Sequence, residues 1–305
     1  MHYYNSMREL IGHTPLVKIN YAFEQVEGVN LFAKLEYYNP SGSVKDRTGL
    51  YMVEDAIKDG RLKRGSTIVE ATAGNTGLGV AFAALNQGFH VIFVVPEKFS
   101  EEKQILMKAL GSDIIHTKRE DGMLGAAAKA QELLSEIKDS ISLQQFKNMS
   151  NPKAHYETTG PEIYQDLDGK IDYLVAGAGS GGTYSGVVKF LKEQNRNIKG
   201  ILADPVGSTM GGGEHADYDI EGIGNDFIAD TMDMSLVDKV IKINDTQAFD
   251  GARALARHEG ILGGSSTGAA FSAALKLIYE HHVKGNIVFI APDSGDRYFS
   301  KHLYA

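Results

Sequence analysis

The sequence predicts an α/β protein in which mostly parallel strands are joined by crossover helices. Short apolar runs alternate with longer segments of helical periodicity along the whole chain. With 305 residues, 43% of them hydrophobic, the chain can bury a sizeable core of one or two domains.

Taken in order, the runs are LFAKLE (31–36) before a helix after Val44, TIVEAT (67–72) before a helix after Asn75, HVIFVVP (90–96) before a helix from Ser100, and DIIHT (113–117) before a helix from Gly122. The rhythm repeats in DYLVAGA (172–178), GILAD (200–204), KVIKIN (239–244) and NIVFIAP (286–292), each flanked by a helical segment. Two sheets, or one broken sheet, fit this count. Ser100 before Glu101 and Glu102, and Asp245 before Thr246 and Gln247, have the residue types that cap helix starts. The glycine-rich stretch from Pro205 to Ile228 is long for a compact domain and is expected to be a functional loop that closes over substrate.

Composition excludes several functions. The net charge is -8, and the 31 basic residues are scattered among 39 acidic ones without a run, which does not suit nucleic acid. The longest apolar stretches, Val91–Val95 and Ile287–Ala291, are too short to span a bilayer, and MHYYNSMREL has no apolar signal core, so a cytoplasmic protein is expected. Cysteine is absent, which removes disulfides, thiolate metal sites and a cysteine nucleophile. His281 and His282 have no partner at metal-ligand spacing, so no metal is expected; His90 and His155 are assigned structural roles.

Four segments carry candidate chemistry. In PSGSVKDRTG (40–49) a glycine turn delivers Lys45 to a helix start, where the helix dipole disfavours its charged form and suits an amine that condenses with an aldehyde. A surface lysine paired with Asp46 fits the same residues. In ATAGNTG (71–77) small residues open a helix whose exposed N–H groups suit a carboxylate, and Asn75 adds an amide donor. An ordinary capped turn would look the same. In GAGSGGT (177–183) successive glycines let the backbone close around a phosphate, with Thr183 adding a hydroxyl. Gly177, Gly179 and Gly182 also satisfy G-x-G-x-x-G, with Asp204 ending the next strand, so a dinucleotide fits too. In GGSSTGAA (263–270) hydroxyls open an apolar helix, as a simple cap at Ser265 or Ser266 would.

Together and in this order, these segments resemble the fold-type II pyridoxal 5′-phosphate (PLP) enzymes, specifically the cysteine synthase and cystathionine β-synthase family. The resemblance runs from IGHTPLVKI through AKLEYYNPSGSVKDR, EATAGNTG, QQFKNMSNPKAHYETTGPEI, GSGGT and EGIGNDFI to GGSSTGAA and PDSGDRYFS. The ordered combination is specific although each piece is not. It implies a tryptophan synthase β-like fold of two open, mostly parallel α/β sheets with the cofactor between two domains: a smaller, mobile one at 46–148, and a larger PLP-binding one at 1–45 plus 149–305.

The resemblance also implies roles. Lys45 would form the internal aldimine and then shuttle the α-proton. Asn75 would contact the PLP phenolic oxygen, Gly179, Ser180, Gly181, Gly182 and Thr183 would cradle its phosphate, and Ser265 would hydrogen-bond its pyridine nitrogen. Thr72, Ala73, Gly74 and Thr76, with Gln145 and Gly222, would bind the amino-acid substrate. A serine partner leaves the pyridine ring less electron-withdrawing than a carboxylate would, which favours loss of a β-leaving group.

The implied reaction is β-replacement on O-acetylserine or serine through an α-aminoacrylate. EGIGNDFI and NPKAHYETT resemble the members that take homocysteine and make cystathionine, with cysteine synthase, which takes sulfide, as the alternative. Asn225 stands where animal cystathionine β-synthases carry a tyrosine, which points to O-acetylserine as donor. The family resemblance favours a homodimer. Readings from other classes are a nicotinamide-dependent dehydrogenase, resting on GAGSGG and Asp204, and a non-catalytic scaffold that retains the fold.

Overall fold

The computed structural model describes residues 1, 3–72, 74–97 and 101–305, for residue 101 the backbone only. The expected substrate residue Ala73 and the expected cap Ser100 lie outside the described residues.

Strands β1 (Leu16–Lys18), β2 (Val29–Leu35), β3 (Thr67–Ala71), β4 (His90–Pro96), β5 (Asp113–Thr117), β6 (Ser140–Ile141), β7 (Tyr173–Gly177), β8 (Lys199–Pro205), β9 (Lys239–Ile243) and β10 (Gly285–Ala291) form two sheets. The α-helices are α1 (Lys45–Lys58), α2 (Asn75–Ala84), α3 (Glu101–Ala109), α4 (Gly122–Glu136), α5 (Ser150–Ala154), α6 (Gly160–Asp166), α7 (Gly182–Gln194), α8 (Asp245–Glu259) and α9 (Ser265–Tyr279). A π-helical turn, His155–Thr159, joins α5 to α6. The expected bounds of β4 and β5 and the start of α4 are those observed. The short strands β1 and β6 were not expected, because two or three residues show no periodicity.

The chain divides into two compact units, Met1–Ile11 with Lys45–Asn151, and Gly12–Val44 with Pro152–Ala305. The segment 1–11 and Lys45 itself therefore group with the smaller unit.

In the smaller unit four parallel strands lie in the order β5, β4, β3, β6. Both faces of the sheet are buried, as crossover helices require. Ile68, Val91, Phe93 and Val95 join Met52, Val53, Leu78 and Ala81 of α1 and α2 in one cluster. The alternate residues Val69 and Val94 pack with Ala126, Ala130 and Leu133 of α4.

In the larger unit the order is β1, β2, β10, β7, β8, β9, with β1 alone antiparallel. Ile287, Phe289, Val175 and Ile201 face Phe271, Ala274 and Leu277 of α9, while Val288, Leu174 and Leu202 face Val187, Val188 and Leu191 of α7. Pairing with β10 begins at Val29, so β2 starts two residues before the expected LFAKLE run.

The cap of α8 is one residue earlier than expected. Asn244 forms a capping box with Gln247, the Gln247 N–H donating to Asn244 Oδ1 at 2.9 Å. Asp245 is instead the first helical residue, and its Oδ1 accepts the N–H groups of Asp219 and Ile220.

Candidate active site

The smaller unit brings Lys45 to the first position of α1, whose first turn also holds the buried Asp46, Arg47 and Thr48. Lys45 is half-buried. Two glycines set its place. A β-carbon on Gly79 of α2 would meet the Lys45 carbonyl oxygen at 2.2 Å, and one on Gly49 of α1 would meet the Gly79 carbonyl carbon at 2.3 Å. The helices cross backbone to backbone, so the lysine is fixed against α2.

α2 opens directly after β3, through the segment ATAGNTG. The Gly74 N–H donates to Thr72 Oγ1 at 3.4 Å, Gly74 is the cap residue, and Asn75 and Thr76 fill the first turn. Among the described residues other than its chain neighbours, nothing lies within 4 Å of where a β-carbon on Gly74 would stand. Gln145 arrives from the segment after β6: Thr76 Oγ1 donates to Gln145 Oε1 at 2.6 Å. That bond uses the amide oxygen and leaves the NH2 end able to donate. Asn151 Nδ2 donates to the Gln145 carbonyl at 2.9 Å, and Thr48 Oγ1 donates to Asn151 Oδ1 at 3.2 Å, which carries the chain of bonds to within one turn of Lys45.

In the larger unit the glycine segment lies between β7 and α7. Gly181, at φ +81, caps α7 in the left-handed region, where glycine carries no side-chain penalty. A β-carbon on Gly179 would meet the Gly222 carbonyl oxygen at 2.6 Å, so these two expected site residues lie against each other. Asn225 Nδ2 donates to the Gly179 carbonyl at 2.6 Å. The irregular stretch that carries Gly222 and Asn225 is therefore fastened to the turn, not loose beside it. Lys242 Nζ and the Gly211 N–H hold Asp204 Oδ2 at the far side of that stretch.

Ser265 is the first residue of α9 and is buried. Its Oγ accepts the Glu221 N–H at 3.0 Å, which leaves the hydroxyl hydrogen to be donated. His155, assigned only a structural role from sequence, is fully buried in the π turn, with Nδ1 3.0 Å from Thr159 Oγ1 and Nε2 3.1 Å from Thr183 Oγ1. It orients a hydroxyl of the phosphate-type turn, and no spacing in the sequence links residues 155 and 183.

The same geometry weakens the dinucleotide alternative. Asp204 is buried, and its Oδ2 is engaged by Lys242 and Gly211, so it is not presented to a ribose.

A family model described as pyridoxal-phosphate dependent enzyme matches residues 7–293. The chain belongs to this family of pyridoxal-phosphate dependent enzymes. The O-acetylserine dependent cystathionine beta-synthase of Bacillus subtilis (strain 168) is 50% identical over 296 residues, 97% of this chain and 96% of that one. The cysteine synthase of Helicobacter pylori (strain J99 / ATCC 700824) is 43% identical, covering 98% and 99%. A solved structure of the O-acetylserine dependent cystathionine beta-synthase from Helicobacter pylori is 42% identical, with a TM-score of 0.93 over 100% of both chains.

The residues of this PLP-dependent enzyme fit the cofactor. Ser265 has one hydrogen to give, which suits a pyridine nitrogen that accepts. The glycine turn at the N-terminus of α7, with the Thr183 hydroxyl, is of the kind whose backbone N–H groups suit a phosphate. The amine of Lys45 is of the chemical kind that condenses with an aldehyde. Among the described residues no group of His, Asp or Glu is arranged to hold a metal ion, and no helix is long and apolar enough to cross a membrane.

Proposed function

We propose that this enzyme replaces the β-acetoxy group of O-acetylserine with the sulfur of homocysteine, giving cystathionine and acetate. The C–O bond at the β-carbon breaks, the C–S bond forms there, and the thiol proton is released. PLP, when bound, supplies an electron sink for the bonds at the α-carbon. Lys45 Nζ would hold the cofactor's aldehyde carbon and would move the proton on and off the α-carbon of the amino acid. Asn75 would donate to the phenolic oxygen; Thr72, Ala73, Gly74, Thr76 and Gln145 would receive the substrate carboxylate, with Gly222 also contributing to substrate binding.

The observation that carries the reading is Ser265. A hydroxyl at the pyridine nitrogen is a weaker electron-withdrawing partner than a carboxylate, which shortens the life of negative charge at the α-carbon and favours departure of the β-substituent. The donor is supported by Asn225, whose amide is committed to the Gly179 carbonyl and which has no phenol to assist an unactivated serine. The relative from Bacillus subtilis bears the name of this activity. The Helicobacter pylori (strain J99 / ATCC 700824) cysteine synthase supports the second reading, sulfide as acceptor and cysteine as product. A cytoplasmic homodimer belongs to the same proposal and rests on the family resemblance.

Product analysis of the PLP-loaded enzyme with O-acetylserine and either homocysteine or sulfide tests it. Cystathionine formed faster than cysteine supports the proposal. Faster cysteine formation selects the second reading, and serine consumed as fast as O-acetylserine rejects the donor.

A further inference from the structure

The carboxylate of Glu70 gathers three donors from one turn of chain. Glu70 Oε1 accepts the Ser142 hydroxyl at 2.9 Å, the Leu143 N–H, and the Gln144 N–H at 3.2 Å. This turn needs an anchor. β6 ends at Ile141 after two residues, so the backbone donors that follow have left the sheet ladder. Gln144 is held at φ +55, a left-handed conformation that few residues other than glycine adopt without support. Leu143, on the same turn, is inserted into the core at 1% exposure, so the turn cannot slide without emptying that place.

Glu70 is the penultimate residue of β3, and the chain runs from it through Thr72 into the first turn of α2, where the Thr76 hydroxyl donates to Gln145 Oε1. One side chain thus ties together the strand that leads to the carboxylate-gripping turn and the segment that carries Gln145. We infer that Glu70 is a positioning residue for amino-acid binding: it fixes the Ser142–Gln144 turn, and through it the aim of the Gln145 amide. Its carboxylate is engaged with the turn and takes no part in the bond changes. The inference rests on the reading of Gln145 as a residue that receives the substrate carboxylate.

The test compares Glu70→Ala, Glu70→Gln, Ser142→Ala and Gln145→Ala as PLP-loaded enzymes. Titration of the cofactor absorbance with O-acetylserine gives substrate affinity, steady-state kinetics separate KM from kcat, and hydrogen exchange reports the amides of 142–145. Glu70→Ala should raise KM and the dissociation constant about tenfold, with kcat within about threefold, from the loss of charge-assisted bonds. Exchange should quicken at 142–145 and not through the rest of the sheet. Glu70→Gln, which keeps a carbonyl acceptor, should recover most of the affinity.

Wild-type affinity in Glu70→Ala overturns the inference, as does protection lost throughout the smaller unit, which would mark a merely structural group. If Glu70→Ala does not fold, Ser142→Ala should still raise KM about twofold to threefold, and no change there overturns the inference. Gln145→Ala separates the two claims. An unchanged KM in that variant rejects the role of Gln145, whereas a raised KM there beside a normal one in Glu70→Ala rejects the role of Glu70 alone.

Discussion

The Lys45 carbonyl oxygen lies 2.2 Å from where a β-carbon on Gly79 would stand. Lys45 is thus seated by the absence of a side chain on the neighbouring helix. Gly79→Ala gains about 1 kcal/mol of helix propensity, but a backbone clash this close forces the helices apart at a cost of about 1–3 kcal/mol or more. The cost is expected to win, lowering the denaturation midpoint and weakening PLP retention together. Denaturant unfolding and cofactor absorbance after gel filtration measure both.

Lys45→Ala is expected to abolish turnover and leave the fold intact, because the side chain belongs to no apolar cluster of the smaller unit. Borohydride treatment should label a peptide containing residue 45 in the wild type and none in the variant. A circular dichroism melt checks the fold.

His155→Leu removes the bonds from a buried ring to Thr159 Oγ1 and Thr183 Oγ1. Loss of one hydrogen bond of about 0.5–1.5 kcal/mol corresponds to PLP affinity weakened about twofold to tenfold. Equilibrium reconstitution of the apoprotein, followed by absorbance, should show this shift while the bound variant keeps its KM for O-acetylserine.

Burial is the largest influence on Glu70 and pushes its carboxyl pKa up, against the Leu143, Ser142 and Gln144 hydrogen bonds, which pull it down. With the folded value above the unfolded one, the native state binds the extra proton between the two. Its contribution to stability is complete below the ordinary carboxylate range and is lost as pH rises through the raised value. Glu70→Gln should remove that loss. The difference between wild-type and variant unfolding free energies, followed from acid to neutral pH, should grow in favour of the variant and then level off.

The strands and the turns that open α1, α2, α7 and α9 were legible because apolar period and glycine placement are local properties. The positions of Lys45, Asn75, Thr183 and Ser265 on those turns were legible with them. The residues that hold them were not. Glu70 meets its partners 72 to 74 positions away, and Asn225 meets Gly179 across 46. His155 reached no reading beyond a structural one, since its link to Thr183 exists only once the π turn packs on α7. The shift of the α8 cap from Asp245 to Asn244 has the same origin: Asp245 is drawn off by the backbone of residues 219 and 220.

The bond from Asn225 to the Gly179 carbonyl makes two traits inherit together. An exchange at 225 meant to retune the choice of amino acid would also release the Gly179 carbonyl in the turn that opens α7, the turn proposed to hold the phosphate. Variants there would emerge from a library looking inactive when they have only shed their coenzyme, so selection for new donors is best run with PLP in large excess.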